Sequence, residues 1–214
     1  MIQVDTYIEN FIPPRSDLLQ EMEAYASDNH VPIMSLVGIE ALLQVLAIQQ
    51  PSSILEIGTA IGYSALRMAE KIPNVTITTI ERDEERAEVA KRYVERASKN
   101  DHIEVIVGDA LDIDPTVFSD SFYDAIFIDA AKGQYRAFFD KYSALLAPGG
   151  VIYCDNMLMH GLTTSTLEEV PKRKRTMIRK LKEFTTFIMT HPEFDSAFLP
   201  VGDGIIISRK KERL

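Results

Sequence analysis

The chain contains a glycine loop whose residue types and spacing suit a nucleotide cofactor. The loop follows the apolar run Ser53–Ile57 and carries Gly58 and Gly62 before a helix-like segment begins at Tyr63. Because glycine adopts backbone angles closed to other residues, such a loop lets a ligand lie against the main chain at a helix N-terminus. The spacing is Gly-x-x-x-Gly and not the Gly-x-Gly-x-x-Gly of dinucleotide folds, so the loop alone is equally compatible with a plain turn.

An acidic residue further along favours the cofactor interpretation. Glu81 closes the next apolar run, Val75–Ile80. In nucleotide-binding α/β folds, an acid at this position accepts hydrogen bonds from both hydroxyls of a ribose. The Gly58 loop and Glu81 together therefore predict a cofactor that contains ribose.

Three oxygen-bearing side chains predict a second site beside the first. Asp129 ends the apolar run Asp124–Asp129, while Asp155 and Asn156 follow the run Gly150–Cys154. The carboxyl ends of parallel strands meet at the edge of the sheet where ligands bind, and two carboxylates with one amide carbonyl suit Mg²⁺. The alternative is that all three residues only cap strands and form turns. Their grouping at consecutive strand ends favours the metal.

Basic residues are concentrated toward the C-terminus. The net charge of −9 argues against non-specific binding to nucleic acid, yet Pro171–Lys182 holds seven of the 23 basic residues and no acid. Four more basic residues lie in Arg209–Arg213. A solvated helix face with a frayed tail would explain this pattern, and so would a local site for a polyanion.

The elements that must position these residues alternate between short β-branched runs and helical patterns, which is typical of a parallel sheet with helices on both faces. Strands are predicted at Ser53–Ile57, Val75–Ile80, Ile103–Val107, Asp124–Asp129 and Gly150–Cys154. Helices are predicted near Tyr63–Lys71, Glu84–Ser98, Gln134–Leu146 and Lys172–Thr190. Pro148–Gly150 is interpreted as a helix stop and turn. The glycines of Gly202–Gly204 predict a hairpin within Ala197–Ser208.

The N-terminal region shows helical spacing without a strand partner. Helices are predicted at Ser16–Asn29 and Ser35–Gln49. They could cover a face of the sheet, cover the cofactor or form a dimer contact. We expect one domain over residues 1–214, with a helical cap at 1–50 and a catalytic core at 51–214.

This arrangement resembles the class I S-adenosylmethionine-dependent methyltransferases. The resemblance rests on the Glu-x-Gly-x-x-x-Gly-Tyr-Ser loop, the acid ending strand two, Gly108–Ala110 after strand three and the closing hairpin. It implies an α/β Rossmann-like fold whose seven-stranded, mostly parallel sheet has one antiparallel hairpin strand and extra N-terminal helices. It places around the cofactor Met34, Glu56, Gly58, Ser64, Glu81, Ala110 and Asp129. Met34 and Ala110 could equally be core residues, and Ser64 could cap its helix.

A second resemblance concerns the chemistry. Asp129, Lys132, Asp155 and Asn156 are similar to the pattern of the metal-dependent O-methyltransferases, which include catechol and caffeoyl-coenzyme A methyltransferases. The resemblance implies a divalent ion held by Asp129, Asp155 and Asn156, with Lys132 as the catalytic residue beside the acceptor hydroxyl. A cation lowers the pKa of a bound hydroxyl, and a lysine can receive its proton or stabilise the oxyanion. An ordinary surface lysine would be poorly placed at a helix start, where the dipole disfavours positive charge.

Within that family the chain looks like the bacterial tRNA 5-hydroxyuridine methyltransferases. The likeness lies in His30–Met34, Ile57–Met68, Asp129–Tyr135 and the basic insert Pro171–Arg175. It implies formation of 5-methoxyuridine at the wobble position of a tRNA anticodon, with phosphates contacted by Lys172, Arg173, Lys174 and Arg175. One alternative is an enzyme that methylates small catechols or phenols at the same site. The other is a cofactor-binding module without catalysis, which would not need the four-residue set at Asp129.

Composition and the first residues bear on location. The chain has 214 residues, is 46% hydrophobic and contains no apolar run near the roughly 20 residues that span a membrane. The N-terminal segment lacks the basic start and apolar centre of a secretion signal. Its single cysteine, Cys154, cannot form an internal disulfide and is expected to be buried. These features predict a soluble cytoplasmic enzyme without membrane contact, and the family resemblance adds tRNA as partner and a homodimer.

Overall fold

A computed structural model describes residues 2–118 and 122–212 and shows strands and helices in alternation. In chain order the described elements are α1 (Ile2–Glu9), α2 (Asp17–Asp28), α3 (Leu36–Gln49), β1 (Ser53–Ile57), α4 (Tyr63–Lys71), β2 (Thr76–Glu81), α5 (Glu84–Arg96), β3 (Ile103–Val107), β4 (Tyr123–Ile128), α6 (Tyr135–Tyr142), β5 (Leu146–Cys154), α7 (Arg175–Met189), β6 (Phe194–Leu199) and β7 (Ile205–Lys210). Short 3₁₀ turns precede α6 at Lys132–Gln134 and α7 at Lys172–Lys174.

The seven described strands form one sheet in the order β3-β2-β1-β4-β5-β7-β6. The five strands from β3 to β5 are parallel to their neighbours, whereas β7 pairs antiparallel with both β5 and β6. The order reverses beside β1, which places a crevice for ligands at the carboxyl ends of β1 and β4. The predicted seven-stranded, mostly parallel Rossmann-like sheet with one antiparallel hairpin strand is confirmed.

Two apolar layers bury the two faces of the sheet. Successive strand residues point to opposite faces, so Ile54 of β1 packs with α2 to α5 while Leu55 packs with α6 and α7. All five residues of β1 are buried, as expected for a central parallel strand. Cys154 lies fully buried in the second layer, as predicted. None of the helices in the described ranges combines the length and apolarity needed to cross a membrane.

Two features differ from the sequence predictions. Residues Ile2–Glu9 form a helix that was not predicted, because its mixed polar and apolar residues give a weak periodic signal. The predicted helix stop at Pro148–Gly150 is wrong, since these residues lie inside β5. Tyr123 pairs with Leu146 and the next pair joins Ala125 to Val151, so the proline and glycines occupy a register shift where a ladder hydrogen bond is already lost.

Candidate active site

A cavity of about 300 Å³ lies at the carboxyl edge of the sheet, where the loops after β1, β2, β3 and β4 meet. Its walls include most of the residues predicted to bind the cofactor or to act in catalysis: Met34, Gly58, Ser64, Glu81, Ala110, Asp129, Lys132 and Asn156. The two other predicted residues, Glu56 and Asp155, are buried behind this wall, at 0% and 3% exposure. The structure therefore brings both predicted sites to one cavity.

The glycine loop is held by backbone packing. Gly58 has a φ of +108°, and a Cβ at this position would lie 2.1 Å from the carbonyl oxygen of Asp129. Its N–H donates to the carbonyl of Ile80 at 3.0 Å. Gly62, with a φ of +85°, is the N-cap of α4. Only glycine fits at Gly58, because the end of β4 occupies the space of a side chain.

Glu81 closes the glycine loop from the end of β2. One carboxylate oxygen accepts a hydrogen bond from the Ala60 N–H at 2.8 Å, and the other accepts one from the Asp83 N–H at 3.0 Å. The side chain is buried but reaches the cavity wall. A carboxylate oxygen can accept more than one hydrogen bond, so Glu81 can also receive ligand hydroxyls.

Glu56 is buried behind the cavity wall and contacts Ser64, near the start of α4. One of its carboxylate oxygens accepts a hydrogen bond from the Ser64 hydroxyl, and the other accepts one from the Thr79 hydroxyl at 2.5 Å. Burial raises the pKa of Glu56 to about 7, although the hydrogen bonds from Ser64 and Thr79 oppose the rise. Ser64 does not cap α4, and Glu56 does not line the cavity. The contact of Glu56 with the cofactor stays a prediction; in the structure its carboxylate orients Ser64, which lines the cavity.

Met34 and Ala110 are core residues that also reach the cavity, and their contact with the cofactor stays a prediction. Each is buried, and each contributes to the cavity wall. The carbonyl of Ala110 accepts a hydrogen bond from the Tyr142 hydroxyl at 2.6 Å, which fixes the loop after β3.

Asp129, Asp155 and Asn156 converge at the ends of β4 and β5, as the sequence predicts. The amide nitrogen of Asn156 donates to Asp129 Oδ1 and to Asp155 Oδ2, each at 2.9 Å. Asn156 has a φ of +61°, a left-handed conformation that asparagine tolerates. The backbone turn after β5 therefore aims the amide at both carboxylates.

The charge balance of this trio fits a divalent cation. Burial, followed by the negative charge of Asp129, raises the pKa of Asp155 to about 7. Two carboxylates that crowd each other in this way gain from a cation between them. Rotation of the Asn156 amide by half a turn presents its oxygen to the same point, since nitrogen and oxygen occupy equivalent positions. The residues present thus fit Mg²⁺, with two carboxylates and one amide oxygen as ligands.

Lys132 lies beside the trio, in the 3₁₀ turn that follows β4. Its ammonium donates to Asp129 Oδ1 at 2.6 Å and to the Tyr135 hydroxyl at 3.1 Å. Tyr135 in turn donates to the backbone carbonyl of Asp155 at 2.9 Å. An ammonium has three N–H donors, so the two contacts leave one for an acceptor oxygen in the cavity.

Several residues of the cavity were not predicted. Tyr63, Arg82 and Arg86 line it, and Tyr135 fixes Lys132. Tyr63 and Tyr135 lie inside the sequence segments that carry the family resemblance, but an aromatic residue in such a segment gives no sign of its hydrogen-bond partners. Arg82 follows Glu81 directly in the sequence, and no partner was predicted for its positive charge.

The predicted phosphate contacts divide into two groups. Lys172 and Arg173 are exposed, Lys174 is half-buried, and these three side chains make no hydrogen bond or ion pair with a described residue. Arg175 instead donates to the carbonyls of Val170 at 2.9 Å and Glu168 at 2.8 Å. Its role as a phosphate ligand stays a prediction, while these two contacts of the guanidinium hold the loop before α7.

The basic C-terminal tail is also used within the fold. Arg209 pairs with Glu212 at 3.2 Å, Lys210 donates to the carbonyl of Leu146 at 2.9 Å, and Lys211 donates to that of Pro192 at 3.0 Å. Arg213 lies outside the described residues. Positive charge without a described protein partner is therefore found in the Lys172–Lys174 turn and not in this part of the tail.

Residues 12–211 match the family model described as O-methyltransferase. The chain belongs to this O-methyltransferase family. A catechol O-methyltransferase of Niastella koreensis is 33% identical over 163 residues, which cover 74% of each chain. A caffeoyl-CoA O-methyltransferase of Stellaria longipes is 31% identical, and the match covers 97% of this chain and 90% of the relative.

Solved structures give the same family. A structure described as a putative caffeoyl-CoA O-methyltransferase from Staphylococcus aureus is 31% identical, with a TM-score of 0.90 over 97% of this chain and 99% of that chain. An O-methyltransferase from Bacillus cereus, solved in complex with SAH, is 28% identical, with a TM-score of 0.84 over 98% and 97%. This O-methyltransferase is an S-adenosylmethionine-dependent enzyme, as the sequence predicts.

We predict that Glu81→Ala weakens binding of S-adenosylmethionine to this O-methyltransferase by about 1.5–3 kcal/mol, the scale of hydrogen bonds to a charged group. Glu81→Gln keeps an acceptor for the Ala60 N–H but loses the charge, so it separates ribose binding from loop closure. Calorimetric titration with the cofactor measures both, and Glu84→Ala, an exposed acid at the start of α5, is the control. Wild-type cofactor affinity in both Glu81 variants would show that Glu81 is only an acidic residue at the end of a strand and does not bind the cofactor.

Proposed function

We propose that this enzyme transfers a methyl group to the 5-hydroxyl of 5-hydroxyuridine at the wobble position of a tRNA anticodon, with a divalent cation held by Asp129, Asp155 and Asn156. The observation that carries the tRNA part is the place of the unpaired basic turn. Lys172–Lys174 leads directly into α7, whose Lys180 passes 3.9 Å from the position of a Cβ on Gly133, next to Lys132. Lys180 of α7 therefore lies beside the 3₁₀ turn that carries Lys132.

The chemistry of the acceptor supports this proposal. 5-Hydroxyuridine carries its hydroxyl beside a carbonyl, so it presents two neighbouring oxygens, as a catechol does. A site built for one pair can accept the other. An anticodon base is single-stranded and can be turned out of its stack into a pocket. Phosphates on either side of it would then lie within reach of surface cations, which bind the backbone without reading sequence.

The residues of the site have separate roles in the transfer. Mg²⁺, when bound, lowers the pKa of the acceptor hydroxyl and fixes its oxygen. Lys132 directs its third N–H at that oxygen and stabilises the charge that develops on it. Glu81 and the Gly58 loop hold the cofactor so that its sulfonium methyl faces the acceptor. The acceptor hydroxyl gives its proton to solvent water, and its oxygen forms the oxygen–carbon bond in line as the carbon–sulfur bond breaks. The cofactor leaves as a neutral thioether, and no covalent enzyme intermediate is needed.

A second candidate is methylation of a free catechol or related phenol. The names of the Niastella and Stellaria relatives favour it, because both denote small-molecule acceptors. Under this candidate the Lys172–Lys174 turn is only a solvated surface. The metal and cofactor roles are the same for both candidates, so the acceptor must be tested directly. The homodimer and the cytoplasmic location expected from the sequence stay predictions.

We predict that replacing Lys172, Arg173 and Lys174 together with alanine raises the KM for tRNA and leaves cofactor affinity unchanged. Each lost phosphate contact also lowers the slope of log binding against log salt by about one unit. Arg175 is left in place because it holds the preceding loop. The control replaces three exposed cations elsewhere with alanine, Lys71, Lys91 and Arg92. It therefore has the same net charge as the Lys172–Lys174 triple variant.

Two outcomes would contradict the tRNA proposal. One is wild-type tRNA kinetics and salt slope in the triple variant. The other is a wild-type enzyme that methylates catechol efficiently and ignores tRNA containing 5-hydroxyuridine, which would establish the second candidate. In cells, loss of the gene is expected to remove 5-methoxyuridine and raise 5-hydroxyuridine in the tRNA nucleoside mass profile.

A further inference from the structure

A partly buried charge network joins the N-terminal helices to α4, the helix that begins directly after the glycine loop. Its members are Arg15, Glu23, Glu40, Tyr63 and Arg67. The sequence gives no sign of it, because the partners come from four separate parts of the chain. It lies behind the wall of the cavity and not at the metal end.

The first half of the network centres on Glu23 of α2. Its Oε1 accepts hydrogen bonds from the Tyr63 hydroxyl at 2.6 Å and from Arg15 Nε at 2.8 Å, while Oε2 accepts one from Arg15 Nη2 at 2.7 Å. This bidentate pair is the strong geometry for arginine and carboxylate. Burial and the hydrogen bond to Glu23 raise the pKa of Tyr63 to about 12, so the hydroxyl keeps its proton at neutral pH.

The second half centres on Arg67 of α4, whose side chain is 8% exposed. It donates to the Tyr63 hydroxyl at 2.8 Å through Nη1 and pairs with Glu40 of α3 through Nη2. The Tyr63 hydroxyl thus accepts from Arg67 and donates to Glu23. A charge this deeply buried depends on such partners, since removal of one leaves the other uncompensated.

These contacts fix a segment of the cavity wall at both ends. The connection between α2 and α3 contributes Pro32, Ile33 and Met34 to the cavity. On one side of it Glu23 ties α2 to α4, and on the other Glu40 ties α3 to α4. Tyr63 itself lines the cavity, immediately after the Gly58 loop. The network therefore sets how closely the Met34 wall faces the loop.

We propose that Tyr63, held between Glu23 and Arg67, is a positioning residue for the cofactor, and that the network makes the N-terminal helices part of the S-adenosylmethionine site. The inference rests on the cofactor occupying this cavity and is independent of the acceptor. When the network is intact, the wall is ordered before binding, so the cofactor does not have to order it. When the network is broken, the cofactor has to order the wall as it binds, so its affinity falls.

The chain offers a matched control on the same helix. Glu21 of α2 pairs with Arg96 of α5 through two hydrogen bonds of 2.6 Å, and both side chains are about half exposed, at 49% and 51%. It also ties α2 to the core, but at the surface and away from the cavity. Exposed ion pairs of this kind contribute little. Glu21→Gln is therefore expected to leave cofactor affinity unchanged.

The test is calorimetric titration of the full chain with S-adenosylmethionine, without acceptor. Tyr63→Phe keeps the ring and removes only the hydroxyl, and it is expected to weaken binding by about 3- to 10-fold, the scale of one net hydrogen bond. Glu23→Gln is expected to weaken it similarly. Combined, the two changes should cost less than their sum, because both break the same contact. The KM for the cofactor should rise in parallel while the KM for the acceptor stays constant.

Cofactor affinity at the wild-type level in folded Tyr63→Phe and Glu23→Gln proteins would overturn the proposal, even if their melting temperatures fall, since the network would then serve stability alone. An equal loss in Glu21→Gln would also overturn it. Glu81→Ala is included as a reference for the site. If Glu81→Ala and Tyr63→Phe both bind the cofactor normally, the cavity is not the cofactor site and the proposal fails with it. None of these results depends on whether tRNA is the acceptor.

Discussion

Lys132→Met is expected to lower kcat for methyl transfer by about 10²- to 10³-fold, the range for loss of one preorganised donor to a developing oxyanion. Methionine keeps the length of the side chain but removes the three N–H donors. The contacts to Asp129 and Tyr135, at 2.6 and 3.1 Å, hold the ammonium in place before the acceptor enters. The loss should fall mainly on kcat, because the interaction strengthens as charge develops on the acceptor oxygen.

Steady-state kinetics with both substrates at saturation measures this effect. Lys132→Arg keeps the positive charge but replaces a compact ammonium with a planar fork, so we expect it to recover little activity. Lys91→Met, at an exposed position on α5, is the control. Cofactor affinity should stay near that of the wild type in each variant. A Lys132→Met enzyme with wild-type kcat would remove Lys132 from the reaction.

Asp155→Ala is expected to lower turnover by more than about 100-fold, the upper range for loss of a group that only supports a metal ligand. Removal of one of two carboxylates leaves too few oxygen ligands to hold Mg²⁺ against water. Excess chelator should do the same to the wild type, and added Mg²⁺ should restore it. Because Asp155 and Asp129 repel each other, the substitution is not expected to lower the melting temperature.

The comparison variant is Asp140→Ala, an exposed acid on α6 that pairs with Arg136. It removes one negative charge without touching the strand ends, so the turnover of this variant should match that of the wild type. Calorimetry should show cofactor affinity retained in Asp155→Ala. Full activity of the wild type in excess chelator would contradict the metal proposal, whatever the variant does.

The sequence predicted the central sheet well because its strands are short, apolar and separated by helical patterns. β1 and β3 begin and end at the predicted residues, since an abrupt change of polarity marks both ends. β5 was predicted to start four residues late. Proline and two glycines read as a turn, and only the three-dimensional register shows that the neighbouring strand forms no ladder bond there.

The sequence predicted the positions of those active-site residues that lie at the ends of strands. Asp129, Asp155 and Asn156 follow consecutive strands of one sheet, and topology alone brings them together. The hydrogen bonds that Tyr135 and Arg175 donate could not be predicted, because their acceptors are backbone carbonyls. Residue type shows that a side chain can donate a hydrogen bond but not which carbonyl receives it. The position of Glu56 behind the cavity wall was not predicted for a related reason, since the strand pattern does not show what lies between its carboxylate and the cavity.

The contact between Gly58 and the carbonyl of Asp129 bears on accuracy in the reaction. It joins the backbone that carries the methyl donor to the backbone that carries the acceptor machinery, with no side chain between them. Side chains can change rotamer, whereas two main chains in contact have no such freedom. The sheet itself therefore fixes the distance from the methyl donor to the methyl acceptor. Alignment of the reacting atoms to a fraction of an ångström then requires no domain closure. Residues that select the acceptor can therefore change without altering this distance and without disturbing the transfer.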